Sequence, residues 1–271
     1  MCNPIVRYSK LYLLLAGAYV RSRLQYRLSF GFMCAAVIAG EACLIGLLGV
    51  LFTKFRTVNG WTLPDIMFLY SLGSLAFALM KIVGNQLDDF DRYVVRGDLD
   101  AVLIKPVPPL FYVLASRVEL HHASRMLTSI VIFCAAFYMA RIRLTIGRGL
   151  FTIITVVSGS LIMFAFMLLS ATVALLTGKS GKITDILITA SKEAAAFPIS
   201  IYPLAVRLLL TFILPVAFVT YYPAMHLLGK DQFLGMPAYF QFGAPVAAVA
   251  LLLCCYALWR IGMRHYYSTG S

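Results

Sequence analysis

The most constraining feature of this chain is the stretch from Gly149 to Thr177, which carries no charged side chain. It exceeds the ~20 apolar residues that an α-helix needs to cross a bilayer core. Similar runs recur at about Gly31 to Phe52, interrupted only by Glu41, and at about Pro64 to Met80. Others lie at about Ala123 to Ala140, with Arg125 near its start, and about Leu204 to Leu228, with Arg207 and a mid-span Pro215. The last runs from about Phe242 to Trp259. Backbone polar groups in lipid must be satisfied within the spanning segment, so such runs predict helices. The pattern reads as an all-α membrane protein whose six spans fill residues 29–262. Over 271 residues the chain is 61% hydrophobic and 13% charged, against about a quarter charged in soluble domains. That excludes an ordinary soluble enzyme, a disordered chain and a free DNA-binding protein, and leaves little chain for a soluble domain of about 100 residues.

The net charge of +12 comes from 23 Lys and Arg against 11 Asp and Glu. Basic residues stay on the side from which a span is not translocated. Most of them fall before the first span, between Lys81 and Arg125, between Lys179 and Arg207, and at Arg260 and Arg264. Both termini are therefore expected in the cytoplasm, and the lipid bilayer, not nucleic acid, accounts for the charge. Arg141, Arg143 and Arg148 in the third loop run against the bias. Of six cysteines, Cys34, Cys43, Cys134, Cys254 and Cys255 sit in apolar stretches and read as small reduced hydrophobes.

Before the first span, Leu11, Leu14, Leu15 and Ala18 share one helical face, with Lys, Arg and Tyr interleaved. This predicts an interfacial helix within residues 1–28. A cleaved signal ending at Ala16-Gly17-Ala18 is the alternative, opposed by Arg21, Arg23 and Arg27 close behind. Ile183, Ile186, Leu187 and Ala190, flanked by Lys179, Lys182 and Lys192, predict a second helix on the inner surface, ended before Pro198. Residues 263–271 form a short cytoplasmic tail.

The inner connection at about 86–118 holds five acidic residues, Asp88, Asp89, Asp91, Asp98 and Asp100. Gly97 is placed to end a helix in the left-handed conformation, and Asp98 to cap the next one. Leu99, Val102 and Leu103 share a face, and Pro106 ends the short helix. The pattern suits either a solvated, well-capped loop or a rigid helix docked on a cytoplasmic partner.

The stretch Gly97-Asp98-Leu99-Asp100 through Lys105-Pro106 resembles the signature of the ABC-2 type transporter permeases. Tyr26-Arg27, Gly60-Trp61, Phe197-Pro198, Ile201-Tyr202-Pro203, Leu210 to Pro215, and Tyr221-Tyr222-Pro223-Ala224 with Leu227-Leu228-Gly229 extend the resemblance in order along nearly the whole chain. It implies a six-helix permease of the type V exporter-like fold, with an N-terminal interfacial helix. Such a permease pairs with a second one, homologous or identical, and is driven by separate ABC ATPase subunits. Asp88, Asp91, Arg92, Arg96, Gly97, Asp98, Leu99, Asp100, Lys105 and Pro106 would form the ATPase-coupling loop. An outer re-entrant segment would lie at about 221–245, rich in aromatics, Pro and Gly. The location implied is a bacterial plasma (inner) membrane and the activity efflux.

No ATP-binding loop is legible. Gly178-Lys179-Ser180 resembles its end, but the upstream Gly is replaced by Val173 and a membrane span precedes it. No nucleophile with a base, paired catalytic carboxylates or metal-ligand spacing is evident; His121 and His122 are adjacent and point about 100° apart on a helix. The chain is expected to be no enzyme and to bind no cofactor or metal, ATP and Mg²⁺ belonging to the partner ATPase. Glu41, in mid-span, must face a partner or a wet cavity. With Tyr221 and Tyr222 it is the candidate for a translocation route or subunit contact; a locally paired structural Glu is the alternative. Arg125 and Arg207 are expected to snorkel to inner ends, and Thr62, Pro64 and Asp65 to cap the second span. A standalone channel or secondary transporter is the rival function; it would need no ATPase and usually shows internal repeats.

Overall fold

A computed structural model describes residues 27–116, 121–143, 145–178, 181–230 and 235–266. The interfacial helix expected before residue 27 and the tail beyond residue 266 lie outside the described residues. The helices are α1 (Arg27–Lys54), α2 (Leu63–Gly84), α3 (Phe90–Val95), α4 (Asp98–Leu103), α5 (Pro109–Ser116) and α6 (His121–Met139). They continue with α7 (Ile146–Thr177), α8 (Gly181–Thr184), α9 (Ser191–Ala195), α10 (Leu204–Leu208), α11 (Tyr221–Leu228) and α12 (Ala244–Arg264). No β-strand forms among the described residues; Val58 and Trp61 make an isolated bridge.

Five helical segments are long and apolar enough to cross a membrane: Gly31–Lys54, Leu63–Val95, His122–Met139, Ile146–Thr177 and Ala244–Arg264. α2 is the most buried of them, wedged between α6 and α7, while α12 packs along α7. α1 is the least buried. The start of α2 is locked by Asp65, whose carboxylate accepts from the Thr62 backbone N–H at 2.9 Å and from its hydroxyl at 2.7 Å. At Gly159 a β-carbon would sit 3.0 Å from Val219 and 3.1 Å from Ala76, so glycine lets α7 pack closely here without pushing those side chains aside. Helices α3 to α5 cluster at one end of the bundle, the loop end. The α1–α2 and α6–α7 connections mark the far end.

The structure revises the fifth crossing. Thr184 shares a hydroxyl hydrogen bond with Ser170, near the loop end of α7. Lys192 meets Glu41 midway along α1, and the Ser200 carbonyl accepts from Asn59 at the far end at 3.0 Å. Residues 181–200, with a π-helical turn at Asp185–Ala190 between α8 and α9, therefore run the length of the bundle. The surface helix expected there is instead the fifth crossing. Its charges hid it: a burst of Lys, Asp and Glu looks interfacial until each partner is known.

Conversely, the run expected as the fifth crossing, residues 204–228, is a hairpin. Its limbs Leu204–Ile213 and Val216–Leu228 bend 75° at Leu214-Pro215, where proline removes a backbone donor. The outgoing limb starts just after Ser200. The returning limb passes Gly159 and ends where Lys230 donates to the Gly60 carbonyl at 3.0 Å, back at the far end. Chain that enters and leaves by one end is re-entrant; the returning limb is buried against protein, while the outgoing limb stays helical and exposes apolar Leu204, Phe212 and Ile213.

Candidate functional site

Two charged regions stand out, one at the loop end and one inside the bundle. At the loop end, α3 is anchored by Phe90, which is fully buried and meets the Trp259 ring of α12 edge-on at 5.2 Å and Tyr93 at 6.1 Å. Asp88 pairs with Lys81 of α2. Gly97 then turns the chain at φ +72°, a conformation that penalises any β-carbon. Gly97, not Asp98, takes the cap position. Asp98 is the first residue of α4 and no side-chain capping bond forms, a departure from the sequence expectation. Asp98 and Asp100 lie in the first turn, where exposed N–H groups favour negative charge. Leu99 and Val102 are buried as their spacing requires, but Leu103 is exposed.

The remaining loop residues face outward. Arg92 pairs with Asp89 at 3.3 Å in full view of solvent, and Asp91 occupies the first turn of α3. Arg96, Asp98 and Pro106 are exposed. Lys105 donates to the Tyr112 hydroxyl and sits 3.8 Å from that ring's centroid. Val95 and Ile104 add exposed apolar surface, Ile104 being 85% exposed. Asp100 faces Tyr266 beyond α12; burial first, and the carboxylate second, raise that phenol above its ordinary range.

Inside the bundle, Glu41 is 5% exposed. One carboxylate oxygen accepts from the Tyr70 hydroxyl and from Ser74 at 3.4 Å, the other from the Lys192 ammonium at 3.3 Å. Ser74 also bonds Ser129 of α6 at 2.9 Å. Beside this network three cations surround the Phe77 ring: Lys192 at 5.0 Å, Arg125 at 5.3 Å and Lys81 at 5.4 Å from its centroid. Desolvated cation–π contacts of this kind are worth about 2 kcal/mol or more. A cavity of about 90 Å³, lined by Leu44, Leu48, Tyr70 and Lys192 among others, adjoins the pair.

Sequence reasoning singled out Glu41 but missed these partners. Arg125 does not snorkel to the helix end: its guanidinium lies against Phe77, with a buried Nε that makes no hydrogen bond. Arg207 instead donates to the Tyr202 carbonyl at 2.6 Å. A usable signal did exist, since Tyr70, Ser74, Phe77 and Lys81 recur at helical spacing on one face of α2. Tyr221 and Tyr222 are buried in the chain's own core. Tyr221 meets Trp61 at 5.6 Å, and the Tyr222 hydroxyl shares a 3.3 Å hydrogen bond with Thr211, tying the two limbs of the hairpin. Neither is among the described hydrogen-bond partners of the Glu41 carboxylate.

The family profile described as ABC-2 family transporter protein matches residues 39–270, from the middle of α1 past the end of α12. No curated protein and no solved structure matches the chain. The profile takes in both charged regions and every described span but the start of the first, so the chain belongs to the ABC-2 family of transporter proteins.

Proposed function

We propose that this multi-pass permease is the membrane subunit of an exporter driven by separate ABC ATPase subunits, working in a bacterial plasma membrane beside a second, homologous or identical permease. The loop end and both termini face the cytoplasm in this reading. The chain carries no ATPase site; ATP and Mg²⁺ sit on the partner. The observation that carries the proposal is the build of the 88–106 loop. Phe90, Leu99 and Val102 root it in the bundle while Val95, Arg92, Arg96, Asp98, Ile104 and Lys105 are left outside. A surface both rigid and chemically mixed suits docking to a soluble protein.

Force on that surface has two routes inward. One passes through Phe90 to Trp259 and so to α12. The other passes from Asp88 to Lys81, around Phe77, to the Glu41–Lys192 pair between α1 and the fifth crossing. Closure of the ATPases would tilt α3 and α4, shift Lys81, and part or reform that pair, altering the cavity beside it. Glu41 is then a movable contact of the route, and Tyr221 and Tyr222 brace the hairpin that closes the far end.

Gentle detergent purification of the tagged chain from its native cells, with mass spectrometry of what stays bound, tests the assembly. Recovery of a P-loop ATPase is the expected result. Recovery of this chain alone, with transport intact, overturns the proposal in favour of a standalone transporter.

A further inference from the structure

The three arginines that defy the charge bias converge at the far end. Arg141 and Arg143, in the turn between α6 and α7, line two adjoining clefts. The larger, about 840 Å³, is otherwise walled by Pro64, Phe133, Cys134, Phe137, Tyr138, Met139 and Ile142. The smaller, about 370 Å³, includes Arg148. Arg141 holds φ +52°, a left-handed conformation that a non-glycine residue adopts only under constraint from its surroundings. Arg148 donates to the Arg143 carbonyl at 3.3 Å, which gathers the turn. Among the described residues none of these guanidiniums meets a carboxylate. Asp65, the described acid at this end, is already held by Lys230 at 3.0 Å and by Thr62.

The wall has a matching character. Phe133 and Phe137 pack together at 5.7 Å, and Tyr138 and Met139 are exposed on a helix that crosses the membrane. The cleft thus joins an apolar, exposed wall to positive charge that no described carboxylate meets, at the end of the span, the depth at which headgroups lie. A free soluble anion has no use for the wall, and a zwitterionic lipid offers the arginines a phosphate already balanced by its own cation. We infer that this cleft holds a resident anionic membrane lipid. Its acyl chain lies along Phe133, Phe137 and Tyr138, and its phosphate is bound by Arg141 and Arg143 with Arg148 behind. Guanidinium groups suit this role because they bind phosphate oxygens through parallel N–H bonds. The site is independent of the proposed ATPase coupling.

The test is native mass spectrometry of the full-length protein in a non-ionic detergent, titrated with phosphatidylglycerol or phosphatidylcholine. At about 1 kcal/mol per arginine near a lipid phosphate, phosphatidylglycerol should bind at least about tenfold tighter. Replacing Arg141→Gln, Arg143→Gln and Arg148→Gln together should bring the two lipids within about twofold. Equal binding by the wild type, or a preference that survives the triple change, overturns the inference. So does displacement of the lipid by millimolar inorganic phosphate. Should the triple variant not fold, a photoactivatable phosphatidylglycerol on the wild type decides: labelling within residues 133–148 supports the site, and labelling confined elsewhere refutes it.

Discussion

Two of the oppositely charged pairs among the described residues have the same length and very different standing. Arg92 and Asp89 meet at 3.3 Å with side chains 64% and 56% exposed, whereas Lys192 and Glu41 meet at 3.3 Å with side chains 19% and 6% exposed. Around the first, water screens both charges and competes for each hydrogen bond, so the pair adds little to stability. Around the second, burial excludes water; the Tyr70 and Ser74 hydroxyls assist Glu41 and the Phe77 ring assists Lys192, but among the described residues each is the other's charged partner, so each depends on the other. Equal geometry does not mean equal energy. The first pair is free to change partners, which suits a docking surface; the second suits a contact that must be opened by force.

The comparison breaks or sharpens at four places. The largest effect is expected at the buried pair. Glu41→Leu or Lys192→Met alone strands a charge and should cost about 3–5 kcal/mol, while the double replacement recovers most of it. Thermal unfolding in detergent reads this directly, and additive losses would show that the two residues do not act as a pair. Next comes Gly97→Ala, where a β-carbon at φ +72° costs about 1–2 kcal/mol. Here transport should fall further than stability if the turn sets the docking surface; an equal fall in both would reduce it to a structural hinge. Ser74→Ala removes hydroxyl bonds to Glu41 and Ser129 and should cost about 1 kcal/mol. A double-mutant cycle with Ser129→Ala measures how much of that is shared between α2 and α6. The smallest change in stability, below about 0.5 kcal/mol, is expected for Arg92→Gln. Its effect should surface instead in ATPase stimulation by the assembled transporter. Full stimulation and full transport by Arg92→Gln combined with Arg96→Gln would remove this surface from the coupling.

The spans flanked by clean polar connections were legible because an apolar run in lipid has one backbone solution. The run at Ile146–Thr177 is continuous helix in the structure, and Gly97 takes the left-handed turn that its position between two short helices suggested. Legibility failed where charge and apolar length disagreed. Residues 181–200 cross the bundle despite Lys192 and Glu193, and residues 204–228 fold back despite their apolar character. Hydropathy weighs each segment as if lipid were its only neighbour. Lys192 has Glu41 and the Phe77 ring as neighbours, which offset the cost of its charge, and Pro215 bends a run whose composition alone would span.

By itself, then, the sequence determined that this chain lives in a membrane, that it is helical, and that an acidic, glycine-hinged loop interrupts it after the second span. Those conclusions rest on local properties: the length of apolar runs, the absence of a β-carbon at Gly97, the rarity of charge. Only the tertiary structure decided which segment makes the fifth crossing, that Arg125 and Lys192 share one aromatic ring with Lys81, and that two arginines of the far-end turn open onto an apolar cleft with a third on the cleft beside it. Those depend on which helix lies beside which, and the worth of a charge in a low-dielectric interior is set by the neighbours that packing supplies.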